Sequence, residues 1–486
     1  MIALTRRQLL ALGLTGAGAV AVGGAGLWWT NTGGAGFTTG ADLAEPQALS
    51  SSGGRLDVAL EAAPTRLRVG GRTANAWTFN GTLPGPTLRL RPGDTLGVTL
   101  RNGLRDATNL HVHGLHVSPQ GNGDNPFVRI GPGETFGYRY AIPEGHPPGT
   151  YWYHPHHHGM AAEQVAAGLY GAIVIEDPGT VPVSRDRVLV VSDLALDATG
   201  NLAAVSPPER MMGREGALVL VNGQVVPQAS AAPGERERWR LVNACPSRFL
   251  RLRLDGQQVR LLARDGRRLR VPEEITEVDL APGNRADLIV EARTGNAVLR
   301  TLPVDRGGMD GMMGHMEDGR SGTTEPLDLM SFNVAGPPVQ AMLPIPEGIG
   351  LRDLRYETLA ARRTLTFAMG MAGMMGGGMG AFTINGREFD PDRLDETVRS
   401  GSVEEWTLVN SSPMDHPIHL HVWPMQVVQD ASRNLSEPTW QDVVIVPAFG
   451  QVKVLIAFDG FSGRTVFHCH ILDHEDLGMM GTIEAR

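Results

Sequence analysis

The chain has 486 residues, with 62 Gly, 33 Pro, 20% charged and 6% aromatic residues, and a formal net charge of −9. That length suggests about three domains at ~150 residues each, and the composition suits a loop-rich all-β protein with a sizeable core. The acidic balance, with no basic patch in the sequence, argues against nucleic acid as a partner.

The N-terminus reads as a targeting segment. Thr5-Arg6-Arg7-Gln8-Leu9-Leu10 opens a Gly-rich, mildly apolar run to about Trp29. A twin-Arg pair before such a run resembles a twin-arginine export signal. Residues 1–30 are therefore expected to engage the twin-arginine export machinery, with a periplasmic or extracellular destination. The run is long enough to span a bilayer, but its glycines make it weakly hydrophobic. No small-x-small cleavage site stands out, which leaves an uncleaved membrane anchor open. Residues 31–54 are rich in Gly, Ala and Ser and read as a flexible linker.

From Arg55 the pattern is short strands and turns. Leu56-Asp57-Val58-Ala59-Leu60 alternates, and Leu88-Arg89-Leu90 and Thr95 to Leu100 follow, with Gly, Pro and Asn between. Strands at this spacing argue for a β-sandwich. A first sandwich is expected over 55–178, closing at Leu169 to Glu176, and a second over 183–335. The second holds no His-x-His pair and reads as a spacer. A Pro/Gly-rich linker over 336–355 leads to a third sandwich over 356–486.

The chemistry-bearing residues lie in the first and third. His111-Val112-His113 and His154-Pro155-His156 are two His-x-His pairs, and His416-Pro417-Ile418-His419-Leu420-His421 supplies a third. The fourth is His468-Cys469-His470, after the β-branched and aromatic run Arg464 to Phe467. Side chains alternate faces on a strand, so Cys469 points one way and His468 and His470 the other. A thiolate, two imidazoles and a weak axial thioether make a type 1, or blue, copper site. Cys469, His474 and Met479 offer three of these ligands as the chain loops back, and His416, on the face opposite His419, can join them. His419 and His421 can then join His468 and His470 behind. With the upstream pairs this gives eight imidazoles, enough for three coppers. A lone zinc would need only one or two such pairs.

These motifs resemble the copper-binding signatures of the multicopper oxidases, the laccase and cuprous-oxidase group. The likeness extends to Asn80-Gly81-Thr82-Leu83-Pro84-Gly85-Pro86-Thr87 and Asn385-Gly386. The resemblance implies three cupredoxin-like Greek-key β-sandwiches and four coppers per chain. It implies His416, Cys469, His474 and Met479 at type 1 copper, and His111 and His419 at type 2 copper. His113, His154, His156, His421, His468 and His470 would hold the type 3 pair. The trinuclear cluster would then sit between the first and third sandwiches. The implied reaction takes single electrons from Cu(I), or from phenols and other small reductants, at type 1 copper. The electrons pass through Cys469 to His468 or His470, and O2 is reduced to water. A monomer is expected. The rival readings are a laccase-type phenol oxidase, a copper nitrite reductase, which would not need four pairs, and a non-catalytic copper-binding scaffold.

Some residues beside the ligands carry further expectations. Glu475 and Asp124 are candidates for relaying protons, or for orienting a ligand His. His157 and His158 read as spare, His116 as a satisfied polar contact and His146 as solvent-facing. Cys245 reads as a buried, inert thiol. Met309, Met312, Met313 and Met316 with His315, and Met369, Met371, Met374, Met375 and Met379, form two Gly-rich clusters. Thioether selects Cu(I), so these read as loops that gather it. Against that, Ser412 stands four residues before His416, where the cuprous-oxidase branch usually has an acidic residue.

Overall fold

A computed structural model of the chain describes residues 40–307, 325–340, 342–370, 382–430 and 433–486, all within one unit, Thr39–Arg486. The export signal, the methionine cluster at 309–316 and Met371 to Met379 lie outside the described residues. No helix among the described residues is long and apolar enough to cross a membrane.

Alternating burial along Arg55–Val69 shows why the first sandwich forms: Leu56, Val58, Leu60 and Ala62 point inward while their neighbours face water. That strand pairs with Arg72–Phe79 antiparallel and with Thr95–Asn102 parallel, and Thr135–Ala141 completes a four-stranded sheet. A five-stranded sheet packs over it, in the order Ala48–Ser50, Thr87–Leu90, Gly171–Ile175, Gly149–His154, His111–His113. The second and third sandwiches each join a six-stranded to a five-stranded sheet. Parallel neighbours recur in all three, as at Arg185–Leu194 with Arg236–Asn243 and Leu359–Met369 with Val403–Asn410. Parallel strands cannot be joined by a hairpin, so each sandwich needs crossovers between its sheets. This is the expected all-β architecture of Greek-key sandwiches.

Each sandwich has its own apolar core. A further buried cluster joins them. It takes Trp152 and Tyr170 from the first sandwich, Val188, Val190 and Val242 from the second, and Leu472 from the third.

The linker reading of 31–54 is corrected from residue 40 onward. Leu43 donates its N–H to the Gln228 carbonyl at 2.8 Å, and Ala48–Ser50 runs parallel to Thr87–Leu90. A sheet edge offers unpaired backbone groups whatever the side chains are. Gly- and Ser-rich composition therefore signalled little side-chain packing, not a lack of backbone pairing.

Candidate metal centres

The Gly463–Cys469 strand pairs antiparallel with His416–Leu420, setting Ile418 opposite Cys469 and His419 opposite His468. This register separates two faces. On one, Cys469 Sγ lies 3.4 Å from His416 Nδ1 and 3.8 Å from His474 Nδ1, and the two nitrogens are 3.3 Å apart. Met479 is fully buried, and its carbonyl accepts the Cys469 N–H at 3.0 Å. His474 is carried by a short helix, Leu472–Asp476. Phe382 stacks on the His474 ring at 4.4 Å.

On the other face, eight imidazoles from two sandwiches meet. His111 and His113 lie opposite His154 and Trp152 on paired strands. The His111 ring stacks on His421 and the His113 ring on His419, each at 3.8 Å. Three groups of ring nitrogens lie within 4.8 Å of one another: His111, His113 and His154; His111, His419 and His421; His156, His421 and His468. The His468 Nε2 is 3.0 Å from that of His156 and 3.3 Å from that of His421. Two nitrogens each 2.0–2.1 Å from one tetrahedral ion would stand about 3.3 Å apart. His111 Nε2, His113 Nδ1, His154 Nε2 and His419 Nε2 are buried without a hydrogen-bond partner, as are both nitrogens of His470. Buried polar atoms are normally satisfied, so this donor set fits bound metal.

The outward nitrogens are held by oxygen acceptors. His111 Nδ1 meets Asp124 at 2.9 Å, His113 Nε2 meets Asp442 at 3.1 Å, and His154 Nδ1 meets the Pro155 carbonyl at 2.9 Å. His419 Nδ1 reaches the Asp442 carbonyl at 2.7 Å, and His468 Nδ1 that of Cys469 at 2.9 Å. Such bonds fix the tautomer and aim the other nitrogen at a metal. Burial lowers the pKa of every one of these rings, to about 4 for His154 and about 3 for His419. On the thiolate side burial takes His416 to about 3 and lowers His474 as well. Neutral imidazole is the form that binds metal.

Asp124 is 1% exposed; it accepts the Val112 N–H as well as the His111 ring, and burial pushes it up to about 8. Glu475 is fully buried, with oxygens 3.2 Å from His468 Nδ1 and 3.5 Å from His156 Nε2. Burial, then Asp476, raises its pKa well above the usual range.

Sequence reasoning missed a layer supplied by the second sandwich. Arg285, fully buried, donates to both oxygens of Asp442, which also touches His113. Gly283, at φ +87°, lies so close to the cluster that a Cβ there would stand 2.9 Å from His470 and 3.0 Å from His113. On the thiolate side, His474 Nε2 donates to the Met211 carbonyl at 3.0 Å. The second sandwich is therefore more than a spacer. A charged residue heading the apolar run Arg285–Glu291 was the available signal.

Other expectations have mixed outcomes. His146 is not solvent-facing: it is 4% exposed, and its Nε2 accepts the His116 N–H at 3.0 Å. Pro147 and Pro148 shape that turn, and the ring is folded back under Tyr151. His116 has its polar contact, with Nδ1 on the Val422 carbonyl. His157 and His158 belong to none of the nitrogen groups. Cys245 is fully buried, and burial raises its pKa well above the ordinary thiol value. Ser412 Oγ sits 2.6 Å from His416 Nε2 and donates to Asn410 Oδ1. Asp415 turns away from His416 to accept the Ala448 N–H.

Three sequence profiles described as multicopper oxidase match residues 62–180, 186–300 and 362–486. A solved multicopper oxidase from Campylobacter jejuni, described as a metallo-oxidase, is 31% identical, with 93% of this chain and 96% of that one covered and a TM-score of 0.81. The chain belongs to the multicopper oxidase family. Its three sandwiches are thereby cupredoxin-like, and it is a copper-dependent oxidoreductase whose family uses O2 and a reducing substrate. Among curated relatives, multicopper oxidase mco of Staphylococcus aureus is 28% identical, with 85% of each chain covered. A laccase-like multicopper oxidase from Ochrobactrum sp. is 27% identical, with 91% of this chain and all of that one covered, at a TM-score of 0.78. For that protein, oxidase activity towards lignin model compounds and lignosulfonate is described.

Proposed function

We propose that the chain is an exported, monomeric multicopper oxidase that couples four one-electron oxidations, with Cu(I) as preferred donor, to reduction of O2 to water. The observation carrying this reading is the two-faced strand, with a thiolate–imidazole pocket on one side of Cys469 and eight converging imidazoles on the other. His416, Cys469, His474 and Met479 would hold type 1 copper, and His111 and His419 type 2. His113, His154 and His470, with His156, His421 and His468, would hold the type 3 pair. When bound, the coppers supply one-electron acceptance at the first site and O2 reduction at the second.

The chain's own residues do the rest. Cys469 and its two peptide bonds link the sites covalently. Asp124 accepts the His111 Nδ1–H, and Glu475 stands beside His156 and His468; both carboxyl groups are placed to relay protons as oxygen is reduced. Burial of both sites excludes water.

The soft methionine donors support Cu(I). Ser412, bonded to His416 where the cuprous-oxidase branch usually carries an acid, favours the laccase-type reading instead. The deciding experiment compares turnover of Cu(I) and of a phenol by purified, copper-loaded protein. A preference for the phenol would replace the Cu(I) reading, and no O2 uptake with either donor would end both.

A further inference from the structure

Three parts of the chain enclose a cavity of about 880 Å3 away from both metal centres. The first sandwich supplies Arg91 and Pro147, the second Arg267 and Arg268, and the linker into the third supplies residues 346–352. Ligand sites of this size favour such junctions. The linker wall is pinned in place. Gly348 donates its N–H to the Arg270 carbonyl at 2.8 Å, the Pro346 carbonyl accepts from Arg268, and Ile345 packs on Leu262 and Ile289 of the second sandwich. The cavity is therefore formed without a ligand.

Charge inside the cavity is not balanced. The Arg267 guanidinium makes no hydrogen bond or ion pair with another described residue; its carbon stands 5.9 Å from the centre of the Trp440 ring, and burial lowers its pKa. Of the four carboxylates in the lining, Glu176, Asp177 and Glu347 are paired with Arg89, Arg238 and Arg270, and Glu144 is exposed. His146 adds no charge: burial takes it to about 3, its Nδ1 meets the Pro147 carbonyl and its Nε2 accepts the His116 N–H. A guanidinium withdrawn from water without an anion costs free energy. The remaining wall is largely apolar, with Pro92, Pro147, Pro148, Pro178 and Pro346, and with Ile349 88% exposed. An inorganic anion would leave that wall uncovered.

We propose that this cavity binds a small organic carboxylate, its charged end on Arg267 and its apolar body against the prolines and Ile349. A guanidinium matches a carboxylate with two parallel hydrogen bonds, and the apolar body separates this ligand from a simple anion. The site touches the support of the imidazole cluster without reaching the cluster itself. Tyr151 Oη lies 3.0 Å from the Pro147 carbonyl and 3.3 Å from that of Gly266, the neighbour of Arg267. The Arg285 guanidinium, which holds Asp442, stands 5.8 Å from the Tyr151 ring. A ligand spanning Pro147 and Arg267 therefore braces the first sandwich against the second.

The test uses the full, copper-loaded chain, titrated by calorimetry with benzoate at fixed ionic strength. Benzyl alcohol serves as the uncharged counterpart and inorganic phosphate as an anion without an apolar body. Benzoate should occupy one site and bind more tightly than either. R267M keeps the aliphatic stem and removes the charge; it should weaken benzoate about tenfold or more, with blue absorption and copper content retained. Equal benzoate affinity in R267M, or no binding to the parent protein, overturns the site. Phosphate or benzyl alcohol binding as tightly as benzoate overturns the ligand class. A benzoate-induced change in the copper spectra that persists in R267M places benzoate on copper and overturns the site as well. Should R267M fail to fold, I349S, at an exposed position, should weaken benzoate about threefold and leave phosphate unchanged; unchanged benzoate affinity there overturns the proposal.

Discussion

Cys469 stands with its side chain in one pocket and its peptide neighbours in the other. Cys469→Ser should therefore lose the blue absorption and the turnover. Copper content should drop only from about four to about three per chain, since imidazoles hold the remainder; visible spectra and metal analysis check this, and a surviving blue band contradicts it. The Cys469 and histidine roles were legible because strand parity converts spacing directly into faces. Asp442 was not legible. It lies 23 residues beyond His419 and 157 beyond Arg285, and no local pattern reports a contact of that span. Asp442→Ala leaves the Arg285 guanidinium buried without its strongest partner, which costs about 3–5 kcal/mol. The melting temperature of copper-free protein should fall clearly, and an unchanged value would mean that Asp265, 3.4 Å from the same guanidinium, suffices alone.

At the level of elements, the strands and His-x-His pairs could be read from alternation, while two other features could not. Residues 40–50 looked like a linker because edge-strand pairing uses backbone atoms, which leave no mark in composition. The second sandwich looked inert because it reaches the two metal centres with a glycine, a guanidinium and a carbonyl, none of which is a metal-ligand motif. Gly283→Ala tests the closest of these approaches. Its methyl group would press on His113 and His470, and the positive φ would be strained for alanine. The variant should lose copper at the imidazole cluster, and turnover with it, while the blue band persists. Full copper content with normal turnover would show that the loop yields.

On the scale of the molecule, eight neutral imidazoles from the first and third sandwiches must be gathered in one dry space. Ligands that bind only the folded state stabilise it by mass action, so the melting temperature should rise from copper-free to copper-loaded protein, as calorimetry will measure. Replacing Arg6 and Arg7 with Lys should stop the enzyme from reaching the periplasm; unchanged periplasmic activity would remove the twin-arginine assignment. The helix Leu472–Asp476 also has a consequence for the order of events. Leu472 fills the cluster between the first two sandwiches, and Asp473 pairs with Arg214. His474 faces the thiolate, Glu475 faces the imidazoles, and Asp476 accepts the N–H groups of Ala161 and Ala162. The partners of these five residues come from all three sandwiches. The helix can lock only after those partners have docked, so completion of the copper pockets marks the end of folding. A chain cut short before this helix would also lose Met480–Ala485, an inner strand of the third sandwich, and would close neither pocket.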